Sequence, residues 1–315
     1  MSLRPVPNVN APSRKQRYGL RPGKYDADVD LYSQFEHVLL ELVGVHSSLP
    51  QRAGLSVSAL AAAYHLGSGG QRVRGRLALS AGLALGLSKA DALSIASAAE
   101  LLHNASLVHD DLQDRDVQRH GQPTVWVKYG ANVAICTGDL MLSAAYAGLC
   151  GFTQPALLPP LLGVVHERVA GAIEGQCSDL NTATKTANDL QIYKRVALAK
   201  SGALLSLPLE LALLASGHSA SLDCAREAAH AFAVGYQVVD DLADVEVDSH
   251  SGALNIVFVL QRAGYGAKAH TLARQFGLEH LDRAITLASN LPFDSGALLT
   301  ELSLKLCLLL TAEDD

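Results

Sequence analysis

The chain has 315 residues, of which 49% are hydrophobic, 18% charged and 5% aromatic, and its 25 Lys and Arg against 31 Asp and Glu leave a formal net charge of −6. That is ample apolar material for one large domain or two ordinary ones, which excludes a disordered chain and a disulfide-stapled mini-protein. There is no basic stripe of the kind that tracks a nucleic-acid backbone, so DNA and RNA are not expected partners.

In chain order, residues 1–29 read as a flexible N-terminal arm. Arg4, Arg14, Lys15, Arg17, Arg21 and Lys24 precede the first acid, Asp26, with no apolar segment behind them, so neither a secretory signal nor a membrane anchor is expected. From 30 to 315 one texture repeats: Ala and Leu with small residues at three- and four-residue spacing, punctuated by Gly or Pro. The stretches 31–45, 55–66, 90–114, 132–149, 158–180, 187–214, 221–246 and 252–276 follow the helical period, and period-two alternation is nearly absent. The expectation is one all-α domain over 30–315, a bundle of long helices side by side around a central space. Ser88, with Asp91 three residues on, predicts a capped start for the helix over 90–114. The stretch 140–166 lacks Asp, Glu, Lys and Arg and is long enough to span a bilayer. Gly151, Gln154, Pro155 and Pro159-Pro160 break it, predicting two buried helical pieces joined by a turn in a protein that is not integral to the membrane. The five cysteines, Cys136, Cys150, Cys177, Cys224 and Cys307, are odd in number and form no C-x-x-C. They read as reduced, mostly buried thiols of a cytoplasmic protein.

Chemistry concentrates at two helix ends. Asp110, Asp111 and Asp114 occupy i, i+1 and i+4, which puts three carboxylates on one side of a 3.6-residue helix. Like charges at that spacing repel, so a cation is the simplest compensation. The same Asp-Asp-x-x-Asp spacing returns as Asp240, Asp241 and Asp244, again directly after an apolar run. A lone motif of this kind is an ordinary solvated helix end; two in equivalent contexts point to a shared function. Oxygen ligands without His or Cys suit Mg2+, which keeps several waters and is often shared with substrate phosphates. Basic residues stand where a polyanion needs them: Arg72 and Arg74 behind the pair Gly69-Gly70, Arg115, Arg119 and His120 after the first acids, and Lys200 before Ser-Gly-Ala-Leu204. The glycine-rich piece is neither a P-loop nor a G-x-G-x-x-G fingerprint.

These residues together resemble the trans-isoprenyl diphosphate synthase (polyprenyl synthetase) family from about Gly69 to Leu260. The matches run in order: Gly69-Gly-Gln-Arg-Val-Arg74, Glu100-Leu-Leu-His103 to Asp114, Arg119-His-Gly-Gln-Pro-Thr124, Gly138-Asp139, Gly175-Gln176 with Asp179-Leu180, Lys200-Ser-Gly-Ala-Leu204, and Gly235-Tyr-Gln to Asp244. The resemblance implies the type I isoprenoid synthase fold with a deep central cavity, a homodimer, and a prenyltransferase joining an allylic diphosphate to isopentenyl diphosphate. It implies Asp110, Asp111, Asp114, Asp240, Asp241 and Asp244 as ligands of three Mg2+ ions. Arg119 and Lys200, with Gln237, would hold the allylic diphosphate, and Arg74 and His103, with Arg72 nearby, the isopentenyl diphosphate.

Three departures cluster. Gln71 replaces the family's lysine and His120 its second arginine, both in the acceptor site; and the usual Gly-Lys-x-Thr segment is replaced by Ser251-Gly-Ala-Leu-Asn-Ile256. Gly75, where proline is usual, is a smaller change. Losing two charged phosphate contacts of roughly 1.5–3 kcal/mol each would weaken acceptor binding by about 10²–10⁴, less the neutral donors of Gln71 and a protonated His120. The main expectation is chain elongation. The alternatives are ionisation of an allylic diphosphate without isopentenyl diphosphate, by a terpene cyclase or a prenyltransferase with another acceptor, and a regulatory subunit of a prenyl synthase. Ala105 and Ser106, which in this family border the cavity for the growing tail, are small, with Leu101 and Leu102 the next bulk a turn of about 5.4 Å away, so a twenty-carbon product is favoured.

Overall fold

A computed structural model describes residues 29–45, 55–179, 189–198, 202–251 and 253–312. The predicted N-terminal arm up to residue 28, Leu180, Lys200 and Ser201 lie outside the described residues.

The molecule is built from two sets of helices that share a wall. In the first set, α1 (Val29–Leu42), α2 (Val57–Gly67), α4 (Lys89–Gln113), α6 (Ala131–Leu149) and α7 (Leu158–Asp179) meet in one apolar core. α1 buries Leu31, Phe35 and Leu39, with Val43 just beyond it, at the four-residue spacing of a single helix face. In the second set, α10 (Leu222–Ala243), α13 (Ala269–Ser289) and α14 (Ala297–Thr311) form another core. The shared wall is α3 (Val73–Ala84) and α9 (Ala203–Ala215). α3 gives Leu79 to the first core and Leu77 to the second; α9 gives Leu207 and Leu211 to the first, Leu205 and Leu209 to the second. A helix apolar all round is the pattern of a fully buried element. The one acid of α9, Glu210, is wholly buried between Arg168 of α7 at 2.8 Å and Arg226 of α10 at 2.9 Å. Burial alone would raise its carboxyl, but hydrogen bonds from Arg168, Ser206 and Arg226 hold it below its ordinary value. A smaller cluster packs α8 (Leu190–Ala197) and α12 (Ile256–Leu260) against α10 and α13.

Several sequence expectations need correction. Within the stretch 187–214 the described residues form α8, opened by Asp189, whose Oδ1 accepts from the Gln191 amide at 2.8 Å, and α9; residues 199–201 between them lie outside the described residues. The stretch 221–246 breaks at Asp244, after which α11 (Val245–Ser251) begins. The stretch 252–276 is interrupted at Gly264 (φ +94°) and Gly266 (φ +50°), left-handed conformations that only glycine adopts readily, so α12 and α13 are separate. α3, α14, the short α5 (Val125–Tyr129) and a small hairpin add to the predicted set. α6 and α7 are joined by a turn as predicted, but α7 is not the buried piece expected: the helix Pro155–Cys177 is long and apolar enough to cross a membrane by length and composition, and only 11% of that window is buried. Nor are the cysteines mostly buried, since Cys136, Cys150 and Cys177 are exposed; no disulfide joins any of the five.

Candidate active site

The first acidic motif ends α4. The predicted start is in place: Ser88 Oγ accepts from the Asp91 amide at 3.0 Å, and the Asp91 carboxylate reaches the Thr153 amide at 2.7 Å. At the other end Arg115 turns left-handed (φ +61°) and the Asp116 amide returns to the Asp111 carbonyl at 2.9 Å, a Schellman closure. The chain then folds into the hairpin β1 (Gln118–Arg119) and β2 (Gln122–Pro123), whose turn residues His120 (φ +51°) and Gly121 (φ +77°) are both left-handed, as a tight hairpin requires. Its base is fixed by Thr124 Oγ1 and Trp126 Nε1 donating to the Asp116 carbonyl at 2.8 and 2.7 Å. The hairpin thereby carries Arg119 back onto Asp111, with Nη2 at 2.6 Å and Nε at 3.0 Å from Oδ1, and Nε at 3.1 Å from Oδ2. Asp111 is 1% exposed, and burial raises its carboxyl despite that guanidinium. Asp110 is half-buried and Asp114 exposed.

The second motif ends α10, and its middle acid is also inward. Asp241 accepts from Gln237 Nε2 at 2.7 Å on one oxygen and from Tyr193 Oη and the Ile256 amide, both at 2.8 Å, on the other. All three donors are neutral. Burial pushes the Asp241 carboxyl up to about 7, with those hydrogen bonds working against the rise. Asp240 and Asp244 remain half-buried. Both oxygens of Asp111 and of Asp241 thus accept from protein donors, and these two acids are buried, whereas Asp110, Asp240 and Asp244 are partly exposed and Asp114 exposed. Among the described residues no three His, Cys, Asp or Glu gather into a protein-only cage. The donor set fits Mg2+ all the same, because that ion takes one or two carboxylates and fills its octahedron with water and phosphate.

Beside the first motif lies a cationic cluster. Gly69 (φ +112°) and Gly70 (φ +117°) precede Arg72, itself left-handed at φ +48°, and a Cβ on Gly70 would lie 3.8 Å from His120 Nε2. The glycine pair and His120 thus lie close together. Arg72 departs from expectation: it is buried, with Nε 2.9 Å from Glu36 and Nη1 3.9 Å from Glu100, and it donates to the Leu66 carbonyl, so it ties helices together. Glu100 also accepts the Gly75 amide at 3.0 Å, a donor that proline would lack, and a Cβ at Gly75 would meet Phe35 at 2.2 Å. Glycine here is an accommodation to α1. Arg74 has a buried Nε without a hydrogen-bond partner, and burial lowers its guanidinium to about 10, with Glu100 and Tyr236 opposing. Burial, then Arg74 and Arg119, holds the His103 imidazole well below its ordinary value.

Sequence reasoning missed three residues. His65 is buried and lowered to about 3 by burial, then by Arg119 and Arg72; a lone His on an apolar helix carries no signal. Tyr193 and Asn255 hold the second motif; the signal that could have found Asn255 is its place as an N-cap residue before the apolar run 256–260. Gln237 turns its amide to Asp241, and the side chain of Asp179 is not described.

A family model described as polyprenyl synthetase matches residues 57–253. The chain is 32% identical to the chloroplastic geranylgeranyl pyrophosphate synthase of Capsicum annuum, over 59% of this chain and 53% of that one. It is 34% identical to a (2E,6E)-farnesyl diphosphate synthase of Mycobacterium tuberculosis, over 56% of this chain and 49% of that one. The matches thus span about half the length of these curated relatives. Among solved structures, the geranylgeranyl pyrophosphate synthetase of the archaeon Geoglobus acetivorans superposes with a TM-score of 0.77 at 22% identity, covering 89% of this chain and 98% of that one. A decaprenyl diphosphate synthase from Rhodobacter capsulatus gives a TM-score of 0.77 at 18% identity over 90% and 97%. At such identities the likeness assigns the fold, the all-α fold of isoprenoid synthases.

Proposed function

Since the chain belongs to the polyprenyl synthetase family, we propose that it is a Mg2+-dependent prenyltransferase that joins an allylic diphosphate to isopentenyl diphosphate and releases a longer trans-prenyl diphosphate. Asp110 and Asp114 at the end of α4 and Asp240 and Asp244 at the end of α10 would hold the metal ions, with Asp111 and Asp241 as their anchors. When bound, Mg2+ neutralises the leaving diphosphate as the allylic C–O bond breaks. Arg119 and Lys200 grip the same diphosphate, and Arg74, His103 and the glycine pair hold the acceptor diphosphate. Asp111 presents Arg119, keeping its fork beside the acids.

The observation that carries this reading is the Arg74 Nε, buried without a hydrogen-bond partner in the neighbourhood of His103. An unsatisfied buried donor costs about 1–3 kcal/mol, which a phosphate oxygen would recover. Small Ala105 and Ser106 ahead of Asp110 support a twenty-carbon product. The exposed apolar residues of α7, Leu162 and Ile173, support a homodimer, and cysteines without disulfides support a reducing, cytoplasmic setting.

The second reading, ionisation without isopentenyl diphosphate, is favoured by the engagement of Arg72 on Glu36 and Glu100, which adds to the replacements at Gln71 and His120. An assay of the purified protein with Mg2+ and geranyl or farnesyl diphosphate separates the readings. Longer diphosphates formed only when isopentenyl diphosphate is added bear out elongation. Hydrocarbons or alcohols formed without it bear out the second reading, and inertness points to a regulatory subunit.

A further inference from the structure

The segment after the second acidic motif is where this chain departs from the family's Gly-Lys-x-Thr, and the structure shows what the replacement does. Asn255 is wholly buried and its amide is fully engaged. Its Oδ1 accepts from the Val257 amide at 2.9 Å, capping α12, while its Nδ2 donates to the Asp241 carbonyl at 2.7 Å and to Asp248 Oδ2 at 2.9 Å on α11. The next residue, Ile256, donates its amide to Asp241 Oδ2 at 2.8 Å. Two consecutive residues thus grip both the main chain and the side chain of Asp241, between Asp240 and Asp244.

That turn needs a grip. A helix C-terminus carries partial negative charge from its unpaired carbonyls, and carboxylates placed there add repulsion among themselves and with the dipole. Left alone, the last turn would fray and Asp244 would drift from Asp240. A neutral amide donating to a terminal carbonyl and to a neighbouring carboxylate opposes fraying and adds no charge that would compete with a metal. We propose that Asn255 is a positioning residue for the metal-binding acids Asp240 and Asp244, locking the end of α10 in the geometry they require. The inference rests on the prenyltransferase reading, since it takes those acids as ligands.

The test is calorimetric titration of the full chain with Mg2+ and inorganic pyrophosphate, together with turnover measured against Mg2+ concentration. Asn255→Asp keeps the size and the cap on Val257 but cannot donate to the Asp241 carbonyl and faces Asp248. It should weaken Mg2+-pyrophosphate affinity about tenfold, as loss of a ligand-orienting partner does, and raise half-saturating Mg2+ to match, with the KM for isopentenyl diphosphate unchanged. Adding Asp248→Asn returns an amide donor to residue 255 and should restore about threefold of that loss. An Asn255→Asp protein with affinity within about twofold of wild type, or one weakened equally for metal and acceptor and not rescued by Asp248→Asn, overturns the proposal. Should Asn255→Asp lose its helical circular dichroism, Asn255→Ser keeps a capping oxygen for α12 but loses the amide donor to the Asp241 carbonyl, and should weaken metal affinity about tenfold; no change there overturns the proposal equally. A wild-type chain that binds no Mg2+-pyrophosphate instead overturns the functional reading.

Discussion

The ends of α4 and α10 carry the same Asp-Asp-x-x-Asp spacing and hold the middle carboxylate by different means. Asp111 is clasped by the guanidinium of Arg119, eight residues on, in the adjoining hairpin. Asp241 is held by neutral donors: the Tyr193 hydroxyl, the Gln237 amide and the Ile256 main chain. The surroundings differ in the same sense, since the α4 side carries the guanidinium groups of Arg72, Arg74 and Arg119. The spacing therefore specifies one inward anchor and two outward acids, and leaves open how the anchor is secured. A cation secures Asp111 strongly and can also face a substrate phosphate. Neutral donors secure Asp241 without bringing a charge to that end.

Replacing an outward acid should have the largest effect. Asp110→Ala and Asp240→Ala should each lower turnover by about 10²–10³ with circular dichroism unchanged, because each removes charge stabilisation of the leaving group. Near-wild-type rates in either would break the equivalence of the two ends. The anchors should then differ. Arg119→Ala strands a buried carboxylate and should cost about 2–3 kcal/mol in urea unfolding, scaled down because the arginine is partly exposed, whereas Tyr193→Phe should cost about 1 kcal/mol. Equal losses would erase the distinction between charged and neutral anchoring. On the cationic flank, Gln71→Lys with His120→Arg should lower the KM for isopentenyl diphosphate about tenfold and leave that of the allylic substrate unchanged. A KM unaffected by the pair would remove these positions from acceptor binding.

The smallest effect expected is on pH dependence. His65 is lowered to about 3 by burial and then by Arg119 and Arg72, while the unfolded chain protonates near 6.5. The folded value is depressed, so this contribution is fully present above about pH 6.5 and is lost as pH falls toward 3. Between pH 6.5 and 5.5 wild type should lose roughly 1 kcal/mol more than His65→Gln in unfolding free energy. Parallel curves for the two proteins would contradict the burial, reinforced by Arg119 and Arg72, that keeps this histidine neutral.

The sequence made one layer of this legible. Helical periodicity located α1, α2, α4, α6 and α10 because each presents an apolar stripe to one core. It missed α3, which divides its residues between two cores, and it merged α12 with α13 because glycine-permitted left-handed turns leave no periodic mark. Arg119 was visible as a basic residue of the recognisable motif after the first acids, but its clasp on Asp111 was not. Nor was the grip on Asp241, because Tyr193 and Asn255 lie 48 and 14 residues away, and only folding brings them together. Asp-Asp-x-x-Asp likewise cannot say which carboxylate turns inward; that depends on neighbours from other helices.

The central claim is this division of labour, with outward acids binding metal and inward acids anchoring the helix ends. Calorimetric titration of Mg2+ and pyrophosphate into four isosteric variants tests it most directly. Asp110→Asn and Asp240→Asn should lose at least about a hundredfold in affinity, while Asp111→Asn and Asp241→Asn should stay within about tenfold of wild type. Inward variants that lose as much as outward ones would contradict the account.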